Sequence, residues 1–222
     1  MLSIIFTNLL IVLCASTTLW LVSILAKDVS IIDIFWGPFC ATSAVATYLM
    51  YSHTADPRAL VLTVCVSLWA LRLALYLARR NLGHGEDFRY VEMREGVAKR
   101  GKNFVTWSLV RVFWLQGVLA WLISLPTQVG QFGGNDIIGT GSGELGILAY
   151  IGIGSFAIGF LFEAIGDAQL RAFKSKPENA GKLITTGLWG WTRHPNYFGN
   201  FAIWAGLTAI AFESSWGWTT VL

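Results

Sequence analysis

The sequence predicts an all-α fold, a polytopic membrane helical bundle with six spans present of an expected seven. Three observations carry that expectation. Of the 222 residues, 55% are hydrophobic and only 13% are charged, against about 25% charged in an ordinary soluble domain. The chain therefore has too little polar surface to clothe a water-facing globule, and its mean hydropathy is +0.57. The apolar residues gather in stretches close to the roughly 20 needed to cross a bilayer. The basic residues gather in alternate connections between those stretches, the bias that orients membrane helices. Such a composition excludes intrinsic disorder, which needs low hydrophobicity and high charge. The net charge of +3 is a topological signal and not a nucleic-acid-binding surface.

The expected spans are approximately 2–26, 34–52, 59–78, 104–129, 145–165 and 197–212. The first is uncharged, lacks a basic leading region and is too long for the apolar part of a signal peptide. Bulky Leu13 also rules out a lipoprotein cleavage site at Cys14. Arg72 interrupts the third span, Arg111 sits early in the fourth, and Glu163 lies near the end of the fifth. The Gly-rich stretch 130–146 has no strand before it and no Lys-Ser/Thr after it, so it reads as a flexible loop and not a phosphate cradle. Cys14, Cys40 and Cys65 are irregularly spaced within apolar runs and read as core residues, with no metal site.

Lys27, seven basic residues between Arg79 and Lys102, and five between Arg171 and Arg193 make thirteen of the sixteen Lys and Arg side chains. They fall on one side; the opposite connections hold only Arg58. The expected protein is a single transmembrane domain over 1–222 in a bacterial inner membrane, with the N-terminus outside and 79–103 and 166–200 cytoplasmic. The ending Thr219-Thr220-Val221-Leu222 has neither a basic anchor nor a polar tail. Either the last span is interrupted near Glu213 or, the favoured reading, the chain stops short of a further span.

The cytoplasmic segments 79–103 and 166–200 carry the candidate chemistry and are expected to bind a cofactor. Arg79-Arg80-Asn81-Leu82-Gly83-His84-Gly85-Glu86-Asp87-Phe88-Arg89-Tyr90 is a solvated loop against anionic lipid on the plainest reading. Its aromatic residues and carboxylates exceed what topology requires. If the fifth helix continues past the membrane, Glu163, Asp167 and Arg171 share one face at i, i+4 and i+8. They would pair with one another or offer an acceptor to a ribose and a donor to a phosphate. An acid so close to the bilayer is by default functional. In 181–200, Lys182, Arg193 and His194 offer donors for anionic oxygen, and Asn196 and Tyr197 add hydrogen-bonding and stacking groups. Glycines there let backbone approach a ligand, and Pro195 starts a helix whose positive end faces the same place. Together they form a cradle for a phosphorylated or adenosine-bearing cofactor.

Arg193-His194-Pro195-Asn196-Tyr197-Phe198-Gly199, with Gly187-Leu188-Trp189 and Asp167-Ala168-Gln169-Leu170-Arg171 upstream, resembles the steroid 5-alpha-reductase superfamily. Gly85 to Tyr90 and Asp33-Ile34-Phe35-Trp36-Gly37 resemble its bacterial, DUF1295-like branch, so the likeness covers most of the chain. The resemblance implies a seven-span enzyme that uses NADPH to reduce a carbon–carbon double bond in a hydrophobic, steroid-like or other lipid enone. It implies that Asp167, Arg171, Lys182, Arg193, His194, Asn196, Tyr197 and Asn200 bind the cofactor, with Asn200 standing where the family usually has an acid and Glu163 where it often has Asn. It further implies a carbonyl-polarising pair. Asp33 is the candidate acid, expected in a neutral, donating form, and Tyr76 the candidate tyrosine, with Trp69 deeper in the same span. Arg72 reads as a paired or snorkelling structural arginine. Two rivals stay open: an S-adenosylmethionine-dependent membrane methyltransferase of the isoprenylcysteine or phospholipid type, whose Arg-His-Pro-x-Tyr motif is similar, and a non-catalytic lipid binder. The expected partners are membrane lipids and a lipid substrate, not nucleic acid.

Overall fold

A computed structural model of the protein describes residues 1–51, 56–133 and 144–220. Its elements are α1 (Leu2–Ala26), α2 (Ile32–Tyr51), α3 (Pro57–Asn81), α4 (Phe88–Ala98), α5 (Phe104–Ser108), a π-helical stretch (Leu109–Trp114), α6 (Leu115–Ile123), α7 (Leu125–Val129), α8 (Ile147–Lys174) and α9 (Pro195–Ala211), joined by short 3-10 turns. Among the described residues there is no strand. Five helical stretches are long and apolar enough to cross a membrane: Leu2–Ala26, Val29–Tyr51, Pro57–Asn81, Phe104–Ile123 and Ile147–Lys174. The protein is thus a multi-pass membrane protein with the expected all-helical architecture. The sixth expected span is α9, whose 17 residues reach about 25 Å, short of the ~30 Å hydrocarbon core.

Local chemistry sets the boundaries. α3 starts earlier than hydropathy implies because Asp56 caps it, accepting from Arg58 N, and Pro57 occupies the first turn. α8 runs nine residues beyond the expected 165, through Gln169, Arg171 and Lys174. Apolarity marks where the membrane stops; helix propensity continues past it. The expected span 104–129 is not one helix. Asn103 caps its start, a wider π turn occupies Leu109–Trp114, and the run ends at Ser124. Pro126 has no N–H to continue the ladder, so Leu125–Val129 forms a separate buried turn. α4 lies within the segment read as a loop, started by the Asp87 side chain accepting from Arg89 N.

α8 and α9 form the closest helix pair, and small residues allow it. A Cβ on Gly159 would sit 2.5 Å from Gly199 O, and one on Gly152 would sit 2.5 Å from Gly206 O. Such backbone approach is the usual route to tight packing in lipid, where no hydrophobic force drives helices together. Ile203, Leu207 and Ile210 of α9 are fully buried. Cys40 and Cys65 are buried, but Cys14 is exposed on the outer face of α1, a correction to its reading as core. The loop 130–146 is described only at its ends. Gly130 is packed against Ala211 and Leu62, and 134–143 lies outside the described residues, as do Ser52, Val221 and Leu222.

Candidate functional site

The thirteen basic residues at Lys27, Arg79 to Lys102 and Arg171 to Arg193 gather at one end of the bundle, where α1, α3 and α8 finish and α2, α5 and α9 begin. Just inside that end a buried charge cluster ties α3, α8 and α9. Arg72 Nη1 lies 2.6 Å from Asp167 Oδ2, and Arg72 Nη2 lies 2.6 Å from Glu163 Oε1. Trp69 Nε1 donates to Glu163 Oε2 at 3.1 Å, and Asn196 Nδ2 donates to Asp167 Oδ1 at 3.5 Å. The Nη2 contact is an ion pair off hydrogen-bond geometry, and Arg72 Nε is a buried donor with no acceptor. Glu163 and Asp167 are only 5% and 6% exposed. Bare carboxylates at that depth would be strongly unfavourable, and Arg72 offsets much of the penalty. The i, i+4, i+8 helix does continue, but the acids pair with Arg72 and not with Arg171, which is exposed and makes no ion pair among the described residues. The reading of Arg72 as a paired structural arginine holds.

Two cavities adjoin above this cluster and share Leu170 and Lys174. The larger, about 480 Å³, is lined by Lys174, Lys182, Trp189, His194, Asn196 and Tyr197 among others. The second, about 360 Å³, is lined by Tyr76, Arg79, Arg80, His84, Arg171 and Lys174 among others. Neither lining holds an acid. The segment between α8 and α9 is held in place by its own polar contacts. Gln169 Oε1 accepts from Leu188 N at 3.0 Å, Trp189 Nε1 donates to Gly166 O at 2.9 Å, and Asn179 Nδ2 donates to Phe173 O at 2.9 Å. Gly187 sits at φ +62° directly over the Gln169 amide, where no side chain would fit. His194 stacks on Tyr197, with ring centroids 5.0 Å apart and 22° between planes, and the Tyr197 side is open, at 69% exposure.

Of the sequence-derived cofactor residues, Lys182, His194, Asn196 and Tyr197 line the larger cavity and Arg171 the second. Asp167 lies beneath, already held by Arg72. Arg193 and Asn200 line neither. Gly199, read as room for a ligand, is instead pressed against Gly159 and Glu163 of α8. Arg79, Arg80, His84 and Lys174 belong to the segments 79–103 and 166–200 expected to meet a cofactor, but no motif singles them out there. Nothing local in the sequence says that the ends of α3 and α8 converge.

A third cleft of about 270 Å³ is lined by Asp33, Trp36, Leu77, Arg80, Arg89 and Gln116. Arg80 belongs to it and to the 360 Å³ cavity. Asp33 Oδ1 accepts from Tyr90 Oη at 2.6 Å, and Oδ2 accepts from Arg89 Nη2 at 2.9 Å. Gln116 Nε2 donates to the same Tyr90 oxygen at 3.1 Å. Both Asp33 oxygens thus face a donor, one from each of two neighbouring residues of α4. Tyr76 lines a different cavity, so the tyrosine that Asp33 holds is Tyr90. Burial pushes the Tyr90 phenol up, and the Asp33 carboxylate beside it pushes it further. Arg89 holds the neighbouring Asp87 carboxyl below its usual range.

An uncharacterized protein of Schizosaccharomyces pombe is 26% identical over 238 residues, covering 96% of this chain and 67% of that protein. The protein named "Probable O-methyltransferase ustE" of Ustilaginoidea virens is 41% identical over 56 residues, which is 25% of this chain and 19% of that one. No solved structure matches the chain. Residues 19–222, which include the charge cluster, both adjoining cavities and the Asp33–Tyr90 pair, match the family described as Protein of unknown function (DUF1295), and the chain belongs to that family.

Proposed function

We propose that the protein is a membrane-embedded, NADPH-dependent reductase of a carbon–carbon double bond in a lipid enone, with its basic end turned to the cytoplasm. One observation carries the reading: two adjoining cavities whose linings hold six Lys and Arg side chains and no acid. A dinucleotide with a pyrophosphate and a ribose phosphate needs several cations and a flat stacking surface. Arg79, Arg80, Arg171, Lys174, Lys176 and Lys182 supply the first, and Tyr197 on His194 supplies the second. The acceptor-free Arg72 Nε also fits a ligand oxygen beside Asp167. The sequence resemblance to steroid 5-alpha-reductases supports the same cofactor.

When bound, NADPH supplies a hydride. The chain's own part is to hold the phosphates with the cations named above and to polarise the substrate. Tyr90 gives its one O–H to Asp33, so the donor for charge developing on an enone oxygen is Arg89, which lines the cleft and is itself held by Asp33 and Asp87. Trp36 and Leu77 give the adjacent cleft two apolar walls, and Arg80 joins that cleft to the phosphate side. Arg89→Met should leave NADPH affinity in place and lower single-turnover hydride transfer about 100-fold.

The likeness to a named O-methyltransferase favours a second reading, methyl transfer from S-adenosylmethionine. That cofactor is net cationic, so an acid-free lining of six cations is poorly matched to it. Titrating the purified chain with NADPH, NADH and S-adenosylmethionine separates the two readings. Saturable NADPH binding, with NADPH consumed on addition of enone lipids, supports reduction; binding of S-adenosylmethionine alone overturns it.

A further inference from the structure

A fourth cavity, of about 430 Å³, opens on the other flank of the basic end, between α1, α4 and α5. It shares no residue with the three described above. Its rim carries Lys27 and Arg94, its floor Glu86 and Phe104, and its membrane side Ile24 and Val105. Trp20 Nε1 donates to Val105 O at 3.0 Å and ties α1 to α5 just below it.

The charges leave a defined vacancy for an anion. Glu86 is fully engaged, accepting from Val29 N at 2.9 Å and from Arg94 Nη2 at 2.8 Å. Arg94 lies over the Phe104 ring, 4.4 Å from its centroid, and its Nη1 has no acceptor. Among the described residues Lys27 makes no ion pair, and the neighbouring Asp28 is occupied in capping the turn at Ser30. Lys27 is also the one non-glycine residue with positive φ, 54°, among the described residues, so its backbone points the side chain out of line with the helix it ends. Lys27 and Arg94 against Glu86 leave a net single positive charge. Ile24 and Val105, each 39% exposed, continue the cavity onto the apolar flank.

We propose that this cavity binds the headgroup of an anionic phospholipid, its phosphodiester between Lys27 and Arg94 and its acyl chains along Ile24 and Val105. The net single positive charge matches one phosphodiester, and the apolar flank at membrane depth selects a lipid over a free anion.

The test is native mass spectrometry of the purified chain exchanged into phosphatidylcholine containing a minority of phosphatidylglycerol. The expected result is one preferentially retained phosphatidylglycerol. Lys27→Gly should lower that preference about fivefold, and Lys27→Arg should keep it. Glycine suits the left-handed backbone, so an unchanged melting temperature in pure phosphatidylcholine shows that misfolding is not the cause. A parallel titration with inorganic phosphate identifies the source of the anion. Equal retention of the two lipids by the wild-type chain, retention unaffected by Lys27→Gly, or stabilisation by inorganic phosphate equal to that by phosphatidylglycerol would each overturn the proposal.

Discussion

The two ends of the bundle handle charge in opposite ways. At the end away from the basic segments, Arg58 is 1% exposed, and its guanidinium is consumed by the protein. It donates to Gly130 O at 2.9 Å, Glu213 O at 3.1 Å and Gly133 O at 2.9 Å, and pairs with Asp56 at 3.0 Å. Glu213 in turn accepts from Gly146 N and Ala149 N, satisfying the first donors of α8. Asn8, Thr47 and Gln128 close a further buried network nearby. At the basic end Arg79, Arg171, Lys174 and Lys182 make no ion pair among the described residues and surround open space. Charge that ends in backbone carbonyls fastens helices; charge left open beside a cavity is available to a ligand. Arg72, inside the basic end, stands between the two: it fastens Glu163 and Asp167 and keeps one donor, Nε, without an acceptor.

That contrast can be broken most sharply at Arg58. Arg58→Met strands three carbonyls and Asp56 in a buried site, and should cost about 3–5 kcal/mol in thermal or denaturant unfolding. NADPH affinity of the folded fraction should stay unchanged. Next comes Arg72→Met, which leaves Glu163 and Asp167 buried without a counter-charge. It should cost about 3 kcal/mol and abolish NADPH binding. Adding Glu163→Gln and Asp167→Asn should restore most of the stability and none of the binding. If binding returned as well, Arg72 would be a fastener only.

Arg171→Ala is the opposite case. Unfolding should shift by less than about 0.5 kcal/mol, while calorimetric Kd for NADPH rises about tenfold and its salt dependence weakens. The smallest effect is expected at Asp87, which caps α4 and pairs with Arg89. Its folded pKa is depressed, so its stabilisation is complete above the ordinary value of about 3.9 and is lost as pH falls through the depressed one. Amide exchange in α4 should quicken over that acid window, and Asp87→Ala, which removes cap and ion pair together, should make it fast at every pH.

The membrane class, the location of five spans and the gathering of charge at one end were legible in the sequence, because transfer from water to lipid is decided residue by residue along about 20 consecutive positions. Capping also acts locally, so the start of α9 at Pro195 was legible from its motif. The break at Pro126 was visible in principle but hidden by unbroken apolarity. Lys182, His194, Asn196 and Tyr197 are neighbours in sequence, and their convergence on one cavity needed little more than that. The tertiary structure alone decided which charges are spent and which are open. Arg72 meets Asp167 across 95 positions, Tyr90 meets Asp33 across 57, and Arg58 meets Glu213 across 155. Each pairing depends on how helices are rotated and spaced in the bundle. That is fixed by contacts such as Gly159 against Gly199, whose consequence no local pattern of hydropathy contains.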